Sequence, residues 1–338
     1  SDFCGSGIFL VESYRRMVEK QINGNLFTED DNLLQDILSN NIYGVDLNPD
    51  AIDVAIFSLY LTVLDYKNPK TLCSFQLPDL KGNNLFSNDF FDEDALESLK
   101  KISFDFIVGN PPWGKGNAML VKYCDRRGYH QYLQNTDTCR AFILRSKDFC
   151  SSKTQCCLVL HSKMLYMQKT PSKLFRRFLL SNTQIIRLIE LSSVRTRIFK
   201  NADAPAIILT YKFANENVLQ NRFEYISMKP NIFFKLFKII VVEKTDIKYV
   251  QQSLLKSNDW AWKTLVYGFT GDIDNIMNLK KRYLSLGAAI DEQSPKIIKG
   301  TGIKYSDKGD KVNKKDSSHL LGRDFLDSRA IDHFEIDL

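Results

Sequence analysis

Short runs of Val, Ile, Leu and aromatic residues alternate with longer stretches whose apolar positions recur every three or four residues through the first two thirds of the chain. The two periods distinguish buried strands from amphipathic helices. The pattern predicts strands at 42–46 (IYGVD), 104–109 (FDFIVG), 156–161 (CCLVLH), 185–191 (IIRLIEL) and 206–213 (AIILTYKF). Their near-continuous apolar character is that of strands covered on both faces. Helices are predicted at 8–23, 33–39, 49–66, 95–101, 138–149 and 171–180, with Asn48 as an N-cap and Pro49 in the first turn. Strand–helix alternation with apolar strands specifies an α/β fold built on a doubly wound, mostly parallel sheet.

Beyond about residue 215 the rhythm changes. Residues 218–250 contain β-like stretches, Trp260 and Trp262 lie close together, and 272–286 reads as helix. Residues 294–318 are polar, lysine-rich and punctuated by glycine. Such a segment is either a long basic loop or one that orders only on a partner. The reading therefore divides the chain into 1–215 and a mixed α+β region, 216–338.

A length of 338 residues corresponds to two domains of about 150 residues each. Hydrophobic residues at 44% and charged residues at 25% argue against disorder, collagen-like repeats and coiled coil. No stretch approaches the roughly 20 consecutive apolar residues of a membrane span, and no charged-then-apolar leader is present. Seven cysteines form no C-x-x-C pair and the four histidines are scattered. Reduced thiols, a cytoplasmic setting and no metal site are expected. The net charge of +6 is unevenly spread: residues 1–110 hold 8 Lys+Arg against 18 Asp+Glu, and residues 111–338 hold 38 against 22. The positive part suits a polyanionic partner, or is a solvated lysine-rich surface.

Three motifs carry chemistry. In Cys4-Gly5-Ser6-Gly7-Ile8-Phe9, glycines open directly into a helix, a turn at which backbone amides can approach a ligand with no Cβ in the way. In Tyr43-Gly44-Val45-Asp46-Leu47-Asn48-Pro49, an apolar strand ends in a carboxylate. Asp46 can accept both hydroxyls of a ribose, or cap the following helix. In Phe104–Trp113, an apolar strand runs into Asn110-Pro111-Pro112-Trp113. Two prolines fix the backbone and remove two donors, leaving carbonyls free to accept. The Asn110 side-chain oxygen, the Pro111 carbonyl and the Trp113 ring suit a planar ring that carries an amino group.

Together these motifs resemble the class I S-adenosylmethionine-dependent methyltransferases, and among them the DNA methyltransferases that act on the exocyclic amino group of adenine. The resemblance covers about residues 1–213 and implies a Rossmann-like methyltransferase sheet. It implies that Cys4, Gly5, Ser6, Gly7 and Phe9 form the S-adenosylmethionine loop, that Asp46 holds the cofactor's ribose, and that Leu47 flanks its adenine. Asn83, in Gly82-Asn83-Asn84-Leu85, is the candidate contact for that adenine's amino group. Asn110, Pro111, Pro112 and Trp113 become the catalytic motif, with Trp113 and Phe199 stacking the target base.

The motif order resembles the type whose target recognition is C-terminal, found in bacterial restriction–modification enzymes that fuse or partner with a nuclease subunit or domain. Gly300-Thr301-Gly302 and Leu321-Gly322-Arg323-Asp324 are similar to segments of those recognition regions. Double-stranded DNA is the implied partner, and Arg126, Arg127, Lys311, Lys314 and Lys315 are candidate phosphate contacts or solvated charges. Where the family opens its cofactor loop with Asp or Glu followed by Pro, this chain has Ser1 and Asp2. The strand and helical segment that normally precede the loop are missing from the sequence, so the chain reads as a fragment with weakened cofactor binding. The competing readings are methylation of RNA or of a protein glutamine, and a non-catalytic DNA-binding or specificity module that keeps the methyltransferase-like core.

Overall fold

Two short parallel strands and a six-stranded sheet organise the molecule. The computed structural model describes residues 5–22, 28, 30–67, 75–133, 136–198, 204–214, 216–237, 239–269, 271–292, 331–332 and 335–336. The chain divides into one unit spanning Ser1–Leu279 and another spanning Lys280–Leu338.

The first unit opens with helices α1 (Ile8–Ile22) and α2 (Asp31–Asn41), strand β1 (Gly44–Asp46) and helix α3 (Pro49–Asp65). Tyr14 and Val18 of α1, Leu34 and Leu38 of α2, and Ile52, Ala55 and Leu59 of α3 form one apolar cluster. Asn48 caps α3 by accepting from the Asp50 amide, with Pro49 in the first turn, as the sequence predicts. Strand β2 (Leu85–Ser87) pairs in parallel with β1, Asp46 opposite Ser87.

The six-stranded sheet is built from β3 (Phe106–Gly109), β4 (Gln155–His161), β5 (Thr183–Glu190), β6 (Ala206–Phe213), β7 (Arg222–Ser227) and β8 (Ile247–Gln251), in the order β3-β4-β6-β5-β7-β8. β3 and β4 are parallel, as are β5 and β7, whereas β6 and β8 run against their neighbours. Four of the six strands therefore share a direction. This is a mixed α/β fold with a mostly parallel central sheet, as the strand–helix alternation predicts.

Connecting helices are α4 (Ala118–Arg126), α5 (Thr138–Ser146), α6 (Lys163–Tyr166), α7 (Thr170–Asn182) and α8 (Arg195–Ile198). Further on come α9 (Ile232–Phe237), α10 (Gln252–Ser257), α11 (Ala261–Tyr267) and α12 (Asp272–Arg282), the last crossing into the second unit. Every residue of α5 is buried. Its Ile143 and Leu144 join Leu158, Leu160, Phe175, Leu188, Leu209 and Trp262 in the main core. The described parts of the second unit include α13 (Leu286–Glu292) and the antiparallel pair β9 (Ile331–Asp332) and β10 (Glu335–Ile336).

The helix predicted at 95–101 is replaced by turns ending in a 3-10 turn at Leu99–Lys101. The Asp92 carboxylate accepts the amides of Asp94 and Ala95, and this local turn still buries Leu96 and Leu99. The expected boundary near residue 215 falls inside the first unit. Beyond it, β7 pairs directly with β5, and the buried Gln252 amide donates to Leu180 and Thr183 carbonyls at 2.9 Å each. The Arg176–Asp259 ion pair, at 2.6 and 2.5 Å, ties α7 to the same region. Among the described residues Cys124, Cys139, Cys150, Cys156 and Cys157 are free thiols, and no helix is long and apolar enough to cross a membrane.

Candidate functional site

The glycine turn before α1 and the carboxylate ending β1 meet. Gly5 donates its amide to Asp46 Oδ2 at 3.0 Å, and the Asn48 amide donates to Oδ1 at 2.9 Å. Asp46 is only 1% exposed. Gly7 lies in the left-handed region at φ +86°, and a Cβ there would stand 2.8 Å from the Ala55 Cβ. Glycine is thus required both by the backbone and by the packing of this turn on α3. Ser6 is exposed and Phe9 half-buried.

A cleft of about 260 Å³ runs from the end of β1 to the loop after β3. On one side it is lined by Asp46, Leu47, Asn88 and Asp89, and on the other by Pro112, Trp113 and Lys115. Its floor derives from an aromatic cluster in which Val45 packs with Phe90, Phe91, Leu120 and Phe142. Phe90 and Phe142 stack with centroids 4.8 Å apart. Asp89 accepts from the Phe91 amide at 2.8 Å and from the Asn117 side chain at 2.5 Å, linking the two walls.

The loop after β3 is bound to the start of α5. The Thr138 hydroxyl donates to the Pro112 carbonyl and accepts from the Gly114 amide at 3.2 Å. The Thr138 amide donates to the Gly114 carbonyl at 3.3 Å, and the Gly116 amide to the Thr136 carbonyl at 2.8 Å. Asp137 caps α5 by accepting the Arg140 amide at 3.2 Å and is bonded by His161 Nε2 at 3.1 Å. Burial pushes the Asp137 carboxyl up, but the hydrogen bond and charge of His161, with the charge and amide of Arg140, outweigh it and hold the group below its usual value.

The predicted residues thus divide. Gly5, Asp46, Leu47, Pro112 and Trp113 are brought together, and Trp113 also packs on Leu191, Val194 and Ala206. Asn110 is exposed, its side chain making no hydrogen bond among the described residues, and Pro111 is buried; neither lines the cleft. Asn83 stands apart, exposed in the turn before β2 and donating to the Asp79 carbonyl at 3.0 Å. Arg126 and Arg127 both pair with Glu93, and Arg127 also reaches Asp148 at 3.4 Å. Cys4, Phe199, Lys311, Lys314 and Lys315 lie outside the described residues.

The sequence reading missed Asp89 and Thr138. Asp46 ends β1, whereas Asp89 lies two residues past β2, whose Leu85-Phe86-Ser87 run is too short to stand out in the sequence. The scattered histidines also concealed a group: Asp137, Cys139 and His161 bring ligand-type atoms within 4.8 Å of one another. In the structure this carboxylate already serves as a helix cap and hydrogen-bond acceptor, with Arg140 Nε 3.4 Å away.

Residues 40–199 match the family model of the Eco57I restriction-modification methylases. The chain is 27% identical over 230 residues to the type II restriction enzyme and methyltransferase RM.Eco57I of Escherichia coli, covering 59% of this chain and 23% of that protein. It is 24% identical over 206 residues to the type II methyltransferase M.BstVI of Geobacillus stearothermophilus, covering 58% and 33%. It therefore spans about a quarter to a third of the length of these curated relatives. The structure of a DrdV–DNA complex matches with a TM-score of 0.52 at 11% identity, over 73% of this chain and 26% of that one. The ATP-dependent type ISP restriction-modification enzyme LlaBIII bound to DNA matches at 0.51 and 12%, over 67% and 17%. The fold is thus one found in restriction-modification enzymes.

Proposed function

We propose that the chain is the catalytic part of an adenine-specific DNA methyltransferase of a restriction–modification system. It transfers the methyl group of S-adenosylmethionine to the exocyclic amino group of an adenine flipped out of double-stranded DNA. The observation that carries this reading is the single cleft shared by the Asp46 carboxylate and the Pro112–Trp113 loop. The family match over residues 40–199 and the names of the relatives support it.

The cleft fits a cationic nucleoside cofactor. Asp46 offers acceptors for ribose hydroxyls and Asp89 an acceptor for an amino group, with Leu47 and Phe90 as apolar surface. Two carboxylates along one wall also favour a positive charge. When bound, S-adenosylmethionine supplies an electrophilic methyl group on sulfur.

An aromatic amine is a weak nucleophile because its lone pair is delocalised into the ring. The Asn110 side-chain oxygen and the Pro111 carbonyl accept its two hydrogens, favouring a tetrahedral nitrogen and stabilising the positive charge that develops. The Trp113 ring receives the extruded base; stacking of this kind is worth roughly 1–3 kcal/mol per base. Asn110 is no base, so the proton leaves to water after transfer. The positive charge after residue 110 contacts phosphates, and binding weakens as salt rises. A nuclease subunit or domain is the proposed partner, as the name of the Escherichia coli relative suggests.

Calorimetric titration of S-adenosylmethionine, with and without adenine-containing duplex, tests the reading. Micromolar binding is expected; no binding under either condition would contradict it.

A further inference from the structure

We infer that Thr138 is a positioning residue that sets the Trp113 ring for the target base. Trp113 has one peptide group on either side, and a single hydroxyl holds both. Thr138 Oγ1 donates to the carbonyl of Pro112, just before Trp113, and accepts the amide of Gly114, just after it, at 3.2 Å. The Thr138 amide adds a bond to the Gly114 carbonyl at 3.3 Å, and Lys115 pairs with Asp137 in an antiparallel bridge. The loop is thereby zipped to the first turn of α5.

The indole N–H is buried without an acceptor among the described residues, and among these residues backbone anchoring and packing set the ring's orientation. The clamp also stands on firm ground: Thr138 is 5% exposed and α5 is buried along its whole length. Thr136, which receives the Gly116 amide, is held at φ 55°. That left-handed conformation is a strain for a β-branched residue, and strain of this kind gathers where the surroundings over-determine a functional loop.

Val at position 138 keeps the shape and loses the hydroxyl; Ser keeps the hydroxyl. The chain contains three tryptophans, at 113, 260 and 262, so 5-fluorotryptophan labelling gives a fluorine spectrum of three resonances, with Trp113 assigned by Trp113→Phe. In Thr138→Val the Trp113 resonance is expected to shift and broaden at least about twofold, the other two holding still, and Thr138→Ser to restore it. This arm needs no substrate and is independent of the methyl-transfer reading. The second arm rests on that reading: single-turnover methylation of DNA falls at least about tenfold in Thr138→Val, as misplacement of a reacting group predicts. Ser rescues the rate. An unmoved Trp113 resonance in the Val variant, equal damage by Val and Ser, or a change in all three resonances would overturn the inference. A wild-type protein that gives the expected spectra but methylates no DNA would overturn the function and leave the clamp standing.

Discussion

The Gly5 amide and the Asp46 carboxylate are joined by a 3.0 Å hydrogen bond across 41 residues of sequence. The bond closes the glycine turn onto the end of β1, so the carboxylate that would meet a ribose is fixed by the loop that would meet the rest of the cofactor. Asp46→Asn preserves size but removes the charge and one acceptor. Because hydrogen bonds to charged groups contribute about 1.5–3 kcal/mol, S-adenosylmethionine affinity is expected to fall roughly 10- to 100-fold by calorimetry. Unchanged affinity would remove Asp46 from the site.

Asn110 is exposed and its side chain makes no hydrogen bond among the described residues, so its replacement should disturb chemistry more than structure. Asn110→Ala is expected to lower methyl transfer at least about 100-fold, the scale of losing a transition-state hydrogen-bond partner. Cofactor and DNA affinities should remain within about twofold. A tritiated-methyl assay checks this, and turnover near the wild-type rate would contradict the role given to Asn110.

Gly7 combines φ +86° with a would-be Cβ 2.8 Å from Ala55. Left-handed backbone costs an L-residue about 1–2 kcal/mol and overpacking about 1–3 kcal/mol. Gly7→Ala should therefore lower the melting temperature by several degrees and weaken cofactor binding with it. Melting of both proteins side by side gives the answer, and an unchanged Tm would mean that the turn relaxes freely.

Asp137 should make stability acid-sensitive. Its folded pKa is lowered, so its contribution is fully present above the unfolded value of about 3.9 and is lost as pH falls through the folded value. At pH 7, Asp137→Asn keeps an N-cap acceptor but not the charge, and is expected to destabilise by about 1–3 kcal/mol through the weaker, uncharged bonds to His161 and the Arg140 amide. As pH falls through the folded value the two melting curves should converge. Curves that stay parallel would show that the carboxylate's charge is irrelevant.

Much of this arrangement is legible in the chain because it depends on local patterns. An apolar run that ends in Asp46 or in Asn110-Pro111-Pro112-Trp113 declares the strand and the residues at its end. The strands predicted at 104–109, 156–161, 185–191 and 206–213 correspond to β3, β4, β5 and β6. What is not legible depends on contacts distant in sequence. Thr138 reads as an ordinary helix start until the fold lays it against Pro112, 26 residues earlier. β7 and β8 look like the start of a new region because the pairing of β7 with β5, that of β8 with β7 and the Gln252 bonds are formed across the sheet. Arg126 and Arg127 look free in sequence, yet Glu93, more than 30 residues away, pairs with both.

The most direct test of the central claim is to incubate the protein with methyl-labelled S-adenosylmethionine and mixed-sequence duplex DNA, digest the DNA, and resolve the nucleosides by mass spectrometry. Label in N6-methyldeoxyadenosine, lost in Asn110→Ala, is the predicted result. Label confined to cytosine or to protein, or no label in DNA from a protein that binds the cofactor, would contradict it.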